Sequence, residues 1–181
     1  LRGTKQGTVG NGRTVRFDMF YPDKYIASTY VIDFEKMYEE GYRGLIFDID
    51  NTLVPHGAPA DNRAITLVDR LRKIGFRSCL ISNNQEPRVK MFNQDIQTDY
   101  VYNAHKPSTK NYIKAMEKMG TDRSNTLFIG DQLFTDVWGA KRAGIHNILV
   151  KPSHPKEEFQ IVLKRYLEKI VLFFYRRSLM R

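Results

Sequence analysis

Two aspartates, Asp48 and Asp50, directly follow a short apolar run at 44–47. Residues two apart on a strand point to the same side, so their carboxyl groups can work on one substrate. Such a pair suits phosphoryl transfer. One of the two would attack phosphorus and form an aspartyl phosphate, while the other would protonate the leaving alcohol and later deprotonate the attacking water.

Polar residues also follow three later apolar runs. Thr52 follows Asp48 and Asp50 after the first run. The groups after the three later runs are Ser82, Asn83 and Asn84, then Lys106, then Asp131 and Asp136. Converging carboxylates repel one another, and a lysine together with a hard divalent cation would keep them ionised. Because few Cys or His residues lie among them, the expected metal is Mg²⁺. Ser82 and the backbone N–H groups of Asn83 and Asn84 would hold phosphoryl oxygens, with Lys106 as the cation.

The elements that must position these groups alternate along the chain. Strands are predicted at 44–47, 76–81, 99–102, 126–129 and 148–150, and helices at 61–74, 87–96, 108–119 and 135–143. Apolar spacing between 23 and 40 predicts two short helices ahead of them. This order predicts an α/β fold: a Rossmann-like three-layer sandwich with a five-stranded parallel sheet whose strand ends meet at one edge.

The spacings leave no room for a further domain above the sheet. The 31 residues between Asp50 and Ser82, and the 23 between Ser82 and Lys106, are largely used by one helix and one strand each. We therefore expect no cap domain. An open site excludes water poorly, which favours a large substrate that covers the site itself: a lipid head group, a phosphoprotein or a polynucleotide end.

These motifs resemble those of the haloacid-dehalogenase-like (HAD) hydrolases. Segment 47–53 (FDIDNTL) resembles the first motif, Ser82 the second, Lys106 the third and segment 130–136 (GDQLFTD) the fourth. The resemblance implies an Mg²⁺-dependent phosphatase with Asp48 as nucleophile and Asp50 as general acid/base. It further implies Ser82 and Lys106 on the phosphoryl group, and metal ligands from Asp48, the Asp50 carbonyl and Asp131, with Asp136 in support.

Segments 19–25 (MFYPDKY) and 47–56 are similar to the YqeG-type branch of that family. This branch is similar to mitochondrial phosphatases that act on phosphatidylglycerophosphate. The resemblance therefore implies dephosphorylation of a phospholipid head group. Phosphatases of soluble phosphomonoesters, phosphoproteins or nucleic-acid ends remain open, as does a phosphate-accepting signalling domain that gathers similar groups without needing Asp50 as an acid.

The formal net charge of +9 is concentrated at the two ends of the chain. Residues 1–18 carry +3 and lack apolar periodicity, so they are predicted to be a disordered tail or a remnant of cloning ahead of a natural start at Met19. Residues 19–155, the predicted phosphatase domain, contribute only +2. This near-neutral middle argues against nucleic acid as a partner.

Residues 156–181 carry +4 and form a predicted basic amphipathic helix. Such a helix can lie in an anionic membrane interface, or it can pack on the domain or on a second subunit in a homo-oligomer. No apolar run approaches membrane-spanning length and no secretory signal is recognisable, which predicts a cytoplasmic protein with peripheral contact at the inner face of the membrane.

Two plainer interpretations accompany these hypotheses. The carboxylates could form a structural ion-pair network, because Asp and Asn are common turn residues after strands. Arg88, near the start of the helix after Asn84, could add charge to a phosphate pocket, but the sequence favours a solvated arginine.

Overall fold

A computed structural model describes residues 17–153 and 159–179. Within them, six parallel strands form one sheet in the order β1-β6-β5-β2-β3-β4. The strands are Lys24–Ile26 (β1), Gly44–Phe47 (β2), Arg77–Ile81 (β3), Asp99–Val101 (β4), Thr126–Gly130 (β5) and His146–Val150 (β6). The parallel α/β architecture predicted from the sequence is confirmed, with one strand more than the five expected.

The additional strand, β1, lies where the sequence predicted helix. Lys24 pairs with Ile148 and Ile26 with Val150, so β1 is an edge strand of three residues. Asp23 secures its start by accepting hydrogen bonds from the backbone and side-chain nitrogens of Asn147 at 2.9 and 2.7 Å. Only Phe34–Glu39 (α1) and a short turn of 3₁₀ helix at Thr29–Val31 are helical between 23 and 40.

Helices cover both faces of the sheet. They are Asn62–Ile74 (α2), Glu86–Ile96 (α3), Lys110–Met119 (α4), Trp138–Ala143 (α5) and Phe159–Ser178 (α6), with a π-helical turn at Leu133–Val137. Side chains of β2 alternate between the faces: Leu45 and Phe47 pack in the core formed with α1, α2 and α3, and Ile46 in the core formed with α4 and α5. Burial on both faces explains why β2, at the centre of the sheet, is wholly apolar.

The order of the strands reverses beside β2. The chain passes from β2 to β3 and β4 on one side, then returns to place β5 on the other side of β2. In open parallel sheets, ligands bind beyond the strand ends at such a reversal. Asp48 and Asp131 follow β2 and β5, the two strands that border it.

Helix α6 returns to the domain beside this edge. Val171 is buried with Leu133, Val137 and Leu149, and the ring of Tyr175 lies 5.1 Å from that of Tyr21. In the described ranges, no helix combines the length and the apolar composition that crossing a bilayer requires. Of the predicted tail at 1–18, residues 1–16 lie outside the described residues, and Phe17–Phe20 form a turn of 3₁₀ helix. Residues 154–158 and 180–181 also lie outside.

Candidate active site

The ammonium group of Lys106 joins two of the predicted carboxylates. Its Nζ atom lies 2.5 Å from Asp48 Oδ1 and 2.7 Å from Asp136 Oδ1. All three side chains are buried, with no more than 9% of any of them exposed. Asp48 and Asp136 are 58 and 30 positions away from Lys106 in the sequence. They meet the lysine because the ends of parallel strands share one edge of the sheet.

Asp136 uses both of its carboxylate oxygens within the protein. Oδ1 accepts from Lys106, and Oδ2 accepts from the backbone N–H groups of Asp131 and Gln132 at 3.1 Å each. Gly130 makes this approach possible, because a Cβ atom there would lie 2.7 Å from Asp136 Cγ. Asp136 thus holds both the loop and the lysine, and its supporting role in the reaction stays a prediction.

Tyr112 holds the π-helical turn that carries Asp136 in place. The buried phenol donates to the carbonyl oxygens of Thr135 and Asp136, at 3.1 and 3.3 Å. Burial raises the pKa of Tyr112, so the phenol keeps its proton. Gly139 provides the room, since a Cβ atom there would meet Tyr112 Cζ at 2.7 Å.

Asp131 differs from Asp136 in having no hydrogen-bond donor. Both of its carboxylate oxygens are buried, and within the described residues neither accepts a hydrogen bond. Arg165 of α6 lies near it, with its Nη2 atom 3.8 Å from Asp131 Oδ2. Leaving a buried carboxylate in this state costs free energy, which a bound cation would recover.

Burial and neighbouring charges raise the pKa values of Asp48, Asp131 and Lys106. Burial raises the pKa of Asp48 from 3.8 to about 7, although the charge of Lys106 acts against it. Burial and the charges of Asp48 and Asp136 raise the pKa of Asp131 well above its ordinary value. Burial alone would lower the pKa of Lys106, but Asp136 and Asp48 outweigh it and raise that pKa, so the lysine stays charged.

These observations fit a hard divalent cation. Oxygen atoms of Asp48, Asp131 and Asp136 lie within 4.8 Å of one another. Since the oxygens of Asp136 are occupied by donors, Asp48 and Asp131 are the carboxylates available to a metal, and oxygen ligands are those that Mg²⁺ prefers. The carbonyl of Asp50 remains a predicted ligand.

The side chain of Asp50 faces a different set of partners. Its Oδ1 accepts from the backbone N–H of Gly57 at 2.8 Å and from Arg88 Nη2 at 2.7 Å, and its Oδ2 accepts from Asn84 Nδ2 at 2.6 Å. The prediction of a solvated Arg88 is wrong, because only 15% of that side chain is exposed and it pairs with Asp50. Three donors therefore hold this carboxylate in place.

The remaining predicted residues are Ser82, Asn83 and Thr52. Ser82 is buried, and its Oγ accepts a hydrogen bond from the backbone N–H of Asn84 at 3.1 Å. The hydroxyl proton of Ser82 can still be donated to a phosphoryl oxygen, whereas the N–H of Asn84 is already used. The Asn83 side chain binds the Lys106 backbone, accepting from its N–H at 2.7 Å and donating to its carbonyl at 3.4 Å. Thr52 is buried, and in the described ranges its hydroxyl has no hydrogen-bond partner. Phosphate binding by Ser82, Asn83 and Lys106 stays a prediction.

Comparison with known proteins gives the family. "Probable phosphatase YqeG" of Bacillus subtilis (strain 168) is 35% identical over 160 residues, which is 88% of this chain and 93% of that protein. The chain belongs to the HAD-like hydrolases. A family model described as HAD-hydrolase-like matches residues 103–158. The protein is therefore a hydrolase of phosphoric monoesters, and the resemblance seen in its motifs is confirmed.

Two further comparisons are more distant. "Phosphatidylglycerophosphate phosphatase 1, chloroplastic/mitochondrial" of Arabidopsis thaliana is 24% identical over 152 residues. The matched region covers 78% of this chain but only 44% of that relative. A crystal structure of an uncharacterized protein from Listeria monocytogenes serotype 4b matches with a TM-score of 0.51 at 16% identity, covering 64% of this chain and 85% of that one. The latter likeness concerns the fold alone.

Proposed function

We propose that this HAD-like phosphatase is Mg²⁺-dependent and works through an aspartyl phosphate on Asp48. The observation that supports this most directly is the position of the Asp48 carboxylate. Lys106 is bonded to one of its oxygens, and Asp131, whose oxygens accept no hydrogen bond from the described residues, lies nearby. Asp48 and Asp131 would hold Mg²⁺, which when bound offsets the repulsion between a carboxylate nucleophile and an anionic phosphate.

The chemistry then follows from the side chains. A carboxylate oxygen of Asp48 forms a bond to phosphorus as the bond from phosphorus to the leaving oxygen breaks, and Asp50 gives that oxygen its proton. Asp50 next takes a proton from water, whose oxygen attacks phosphorus and releases the Asp48 carboxylate. Lys106 and Ser82 would hold the phosphoryl oxygens, and inorganic phosphate leaves.

For the substrate we propose a phospholipid head group, with phosphatidylglycerophosphate as the candidate. The named activity of the Arabidopsis relative supports it. A surface of α6 supports it independently. Its large apolar side chains, each at least 43% exposed, are Tyr166, Leu167, Ile170, Phe173 and Phe174. Lys169, Arg176 and Arg177 are exposed on the same helix, so this outer face of α6 suits an anionic bilayer interface.

The substrate test compares rates on phosphatidylglycerophosphate in mixed micelles with rates on soluble phosphomonoesters, in Mg²⁺ and in EDTA. We expect the lipid to be preferred, activity to require the metal, and Asp48→Asn to lose at least about 10³-fold. Asp69→Asn, an exposed aspartate on α2, is the matched control and should keep full activity. Faster turnover of soluble sugar phosphates would refute the lipid substrate, and an active Asp48→Asn would refute the nucleophile.

The membrane test uses the full chain with Ile170→Ser and Phe173→Ser together. Each side chain is worth about 1.5–3 kcal/mol when fully buried, so the double variant should bind phosphatidylglycerol-containing vesicles at least about tenfold more weakly in flotation. Val31→Ser with Met91→Ser removes two exposed apolar side chains elsewhere and should bind normally. Unchanged flotation of the double variant would refute membrane binding by the outer face of α6. If sedimentation instead showed a dimer that the Ile170→Ser, Phe173→Ser variant dissociates and the control variant does not, this face would be assigned to a second copy of the chain.

A further inference from the structure

Arg88 has hydrogen-bonding capacity that its contact with Asp50 does not use. It donates to Asp50 through Nη2 alone, while Nε and Nη1 are buried with no hydrogen-bond partner in the described part of the chain. Phe92 on the same helix lies under the guanidinium, 5.8 Å from its centre to the ring centroid. A bidentate pair would satisfy more donors, so this geometry is not the one that stability alone would favour.

Burying such a group carries a cost. Each buried donor without a partner is destabilising, and replacing a buried ion pair by apolar side chains is often neutral or stabilising. The surface pair of Arg70 and Glu35 shows the contrast, since both Nε and Nη2 of Arg70 reach the carboxylate and about half of each side chain is exposed. The benefit of Arg88 should therefore lie in what it does to Asp50.

The contacts on Asp50 define that effect. Arg88 and the N–H of Gly57 both donate to Oδ1, and Asn84 donates to Oδ2. Two donors on one oxygen and one on the other fix the plane of the carboxyl group. The guanidinium group beside Oδ1, at 2.7 Å, helps to hold the carboxyl group in that orientation.

We propose that Arg88 is a positioning residue that orients the carboxyl group of Asp50 toward the leaving oxygen of the substrate. This inference rests on the proposed role of Asp50 as general acid. It makes Arg88 most important for substrates whose leaving oxygen must receive a proton as the bond to phosphorus breaks. An alkyl phosphate is such a substrate, whereas p-nitrophenolate is stable enough to leave without one.

The experiment measures kcat/KM for glycerol 3-phosphate and for p-nitrophenyl phosphate in Arg88→Met, Arg88→Lys and Asp50→Asn, with saturating Mg²⁺. For Arg88→Met we expect a loss of about 10²-fold on the alkyl phosphate and less than about fivefold on the aryl phosphate. Arg88→Lys keeps the charge and should recover part of the alkyl phosphate rate. Arg70→Met, which breaks the exposed pair with Glu35, should change neither rate.

Thermal unfolding separates a folding defect from the proposed effect, because a folding defect lowers both rates together and selects neither substrate. Equal losses on both substrates, or no loss on either, would overturn the role of Arg88 provided that Asp50→Asn itself discriminates between them. If Asp50→Asn shows no such discrimination, the acid role of Asp50 fails first and the inference falls with it.

Discussion

Replacing Lys106 with methionine removes a cation that is bonded to both Asp48 and Asp136 while keeping a side chain of similar length. The ammonium lies 2.5 Å from Asp48 Oδ1 and 2.7 Å from Asp136 Oδ1, and 4% of the lysine side chain is exposed. In Lys106→Met these two carboxylates and the neighbouring Asp131 would stay buried together without that cation.

Breaking a buried ion pair by removing one partner costs about 3–5 kcal/mol. The two contacts share a single cation, so this cost applies once rather than twice. It should depend on pH, because a carboxyl group whose pKa is raised by folding destabilises the folded state above its ordinary pKa. The pKa of Asp48 is already about 7 with Lys106 present, and since Lys106 lowers it, the substitution raises it further.

The sign of the pH effect follows directly. Near pH 5 the carboxyl groups of the variant take up protons and relieve their repulsion, so the loss should be about 1–2 kcal/mol, and near pH 8 it should approach about 3–5 kcal/mol. Bound Mg²⁺ supplies the missing charge, so it should stabilise Lys106→Met more than the parent protein.

Urea unfolding in EDTA and in Mg²⁺, at these two pH values, measures each of these quantities. Lys118→Met is the control, because Lys118 forms an exposed ion pair with Asp99 at 3.8 Å and should change stability by less than about 1 kcal/mol. A loss below about 1 kcal/mol near pH 8, or a loss independent of pH, would refute the account of Lys106 as the cation that keeps these carboxylates ionised.

Three further outcomes test the surroundings of the carboxylates. Gly130→Ala should displace Asp136 and lower kcat at least about tenfold with a Tm loss of several degrees, since its Cβ atom would lie 2.7 Å from Asp136 Cγ; an active, stable variant would contradict this. Asp131→Asn should abolish the rise in Tm that Mg²⁺ causes in the parent protein, and a normal rise in calorimetry would remove Asp131 from the metal site. Glu168→Ala removes the acceptor for the Leu133 N–H at 3.1 Å and should speed proteolytic cleavage within α6 under native conditions, in contrast to Glu86→Ala on the surface of α3.

The sheet was predictable because each of its four inner strands contains a run of three buried apolar residues, at 45–47, 79–81, 127–129 and 148–150, as burial on two faces requires. Strand β1 was not, for a physical reason. It has three residues, none fully buried, and its backbone partners are the residues of β6 about 124 positions later. The apolar spacing around it satisfies a helical pattern equally well, so only the tertiary pairing decides its conformation.

The site shows the same division. Polar residues after parallel strands must share an edge, so the meeting of Asp48, Lys106 and Asp136 could be predicted from position alone. Arg88 could not, since most arginines on amphipathic helices are solvated, and its burial depends on the loop that carries Gly57 and Asp50. A usable signal was its place in the first turn of a helix entered directly from Asn84, which itself bonds Asp50.

Helix α6 presents a case in which the two alternatives drawn from the sequence are compatible. Its apolar residues are too numerous for one buried stripe. Val171 packs on the domain, whereas Tyr166, Ile170 and Phe173 stay largely exposed. Because Glu168 bonds the Leu133 N–H two residues after Asp131, the helix is fixed beside the carboxylates. A membrane that engaged this outer face would therefore lie near the edge of the sheet that carries the proposed catalytic residues, which is the arrangement that the proposed lipid substrate requires.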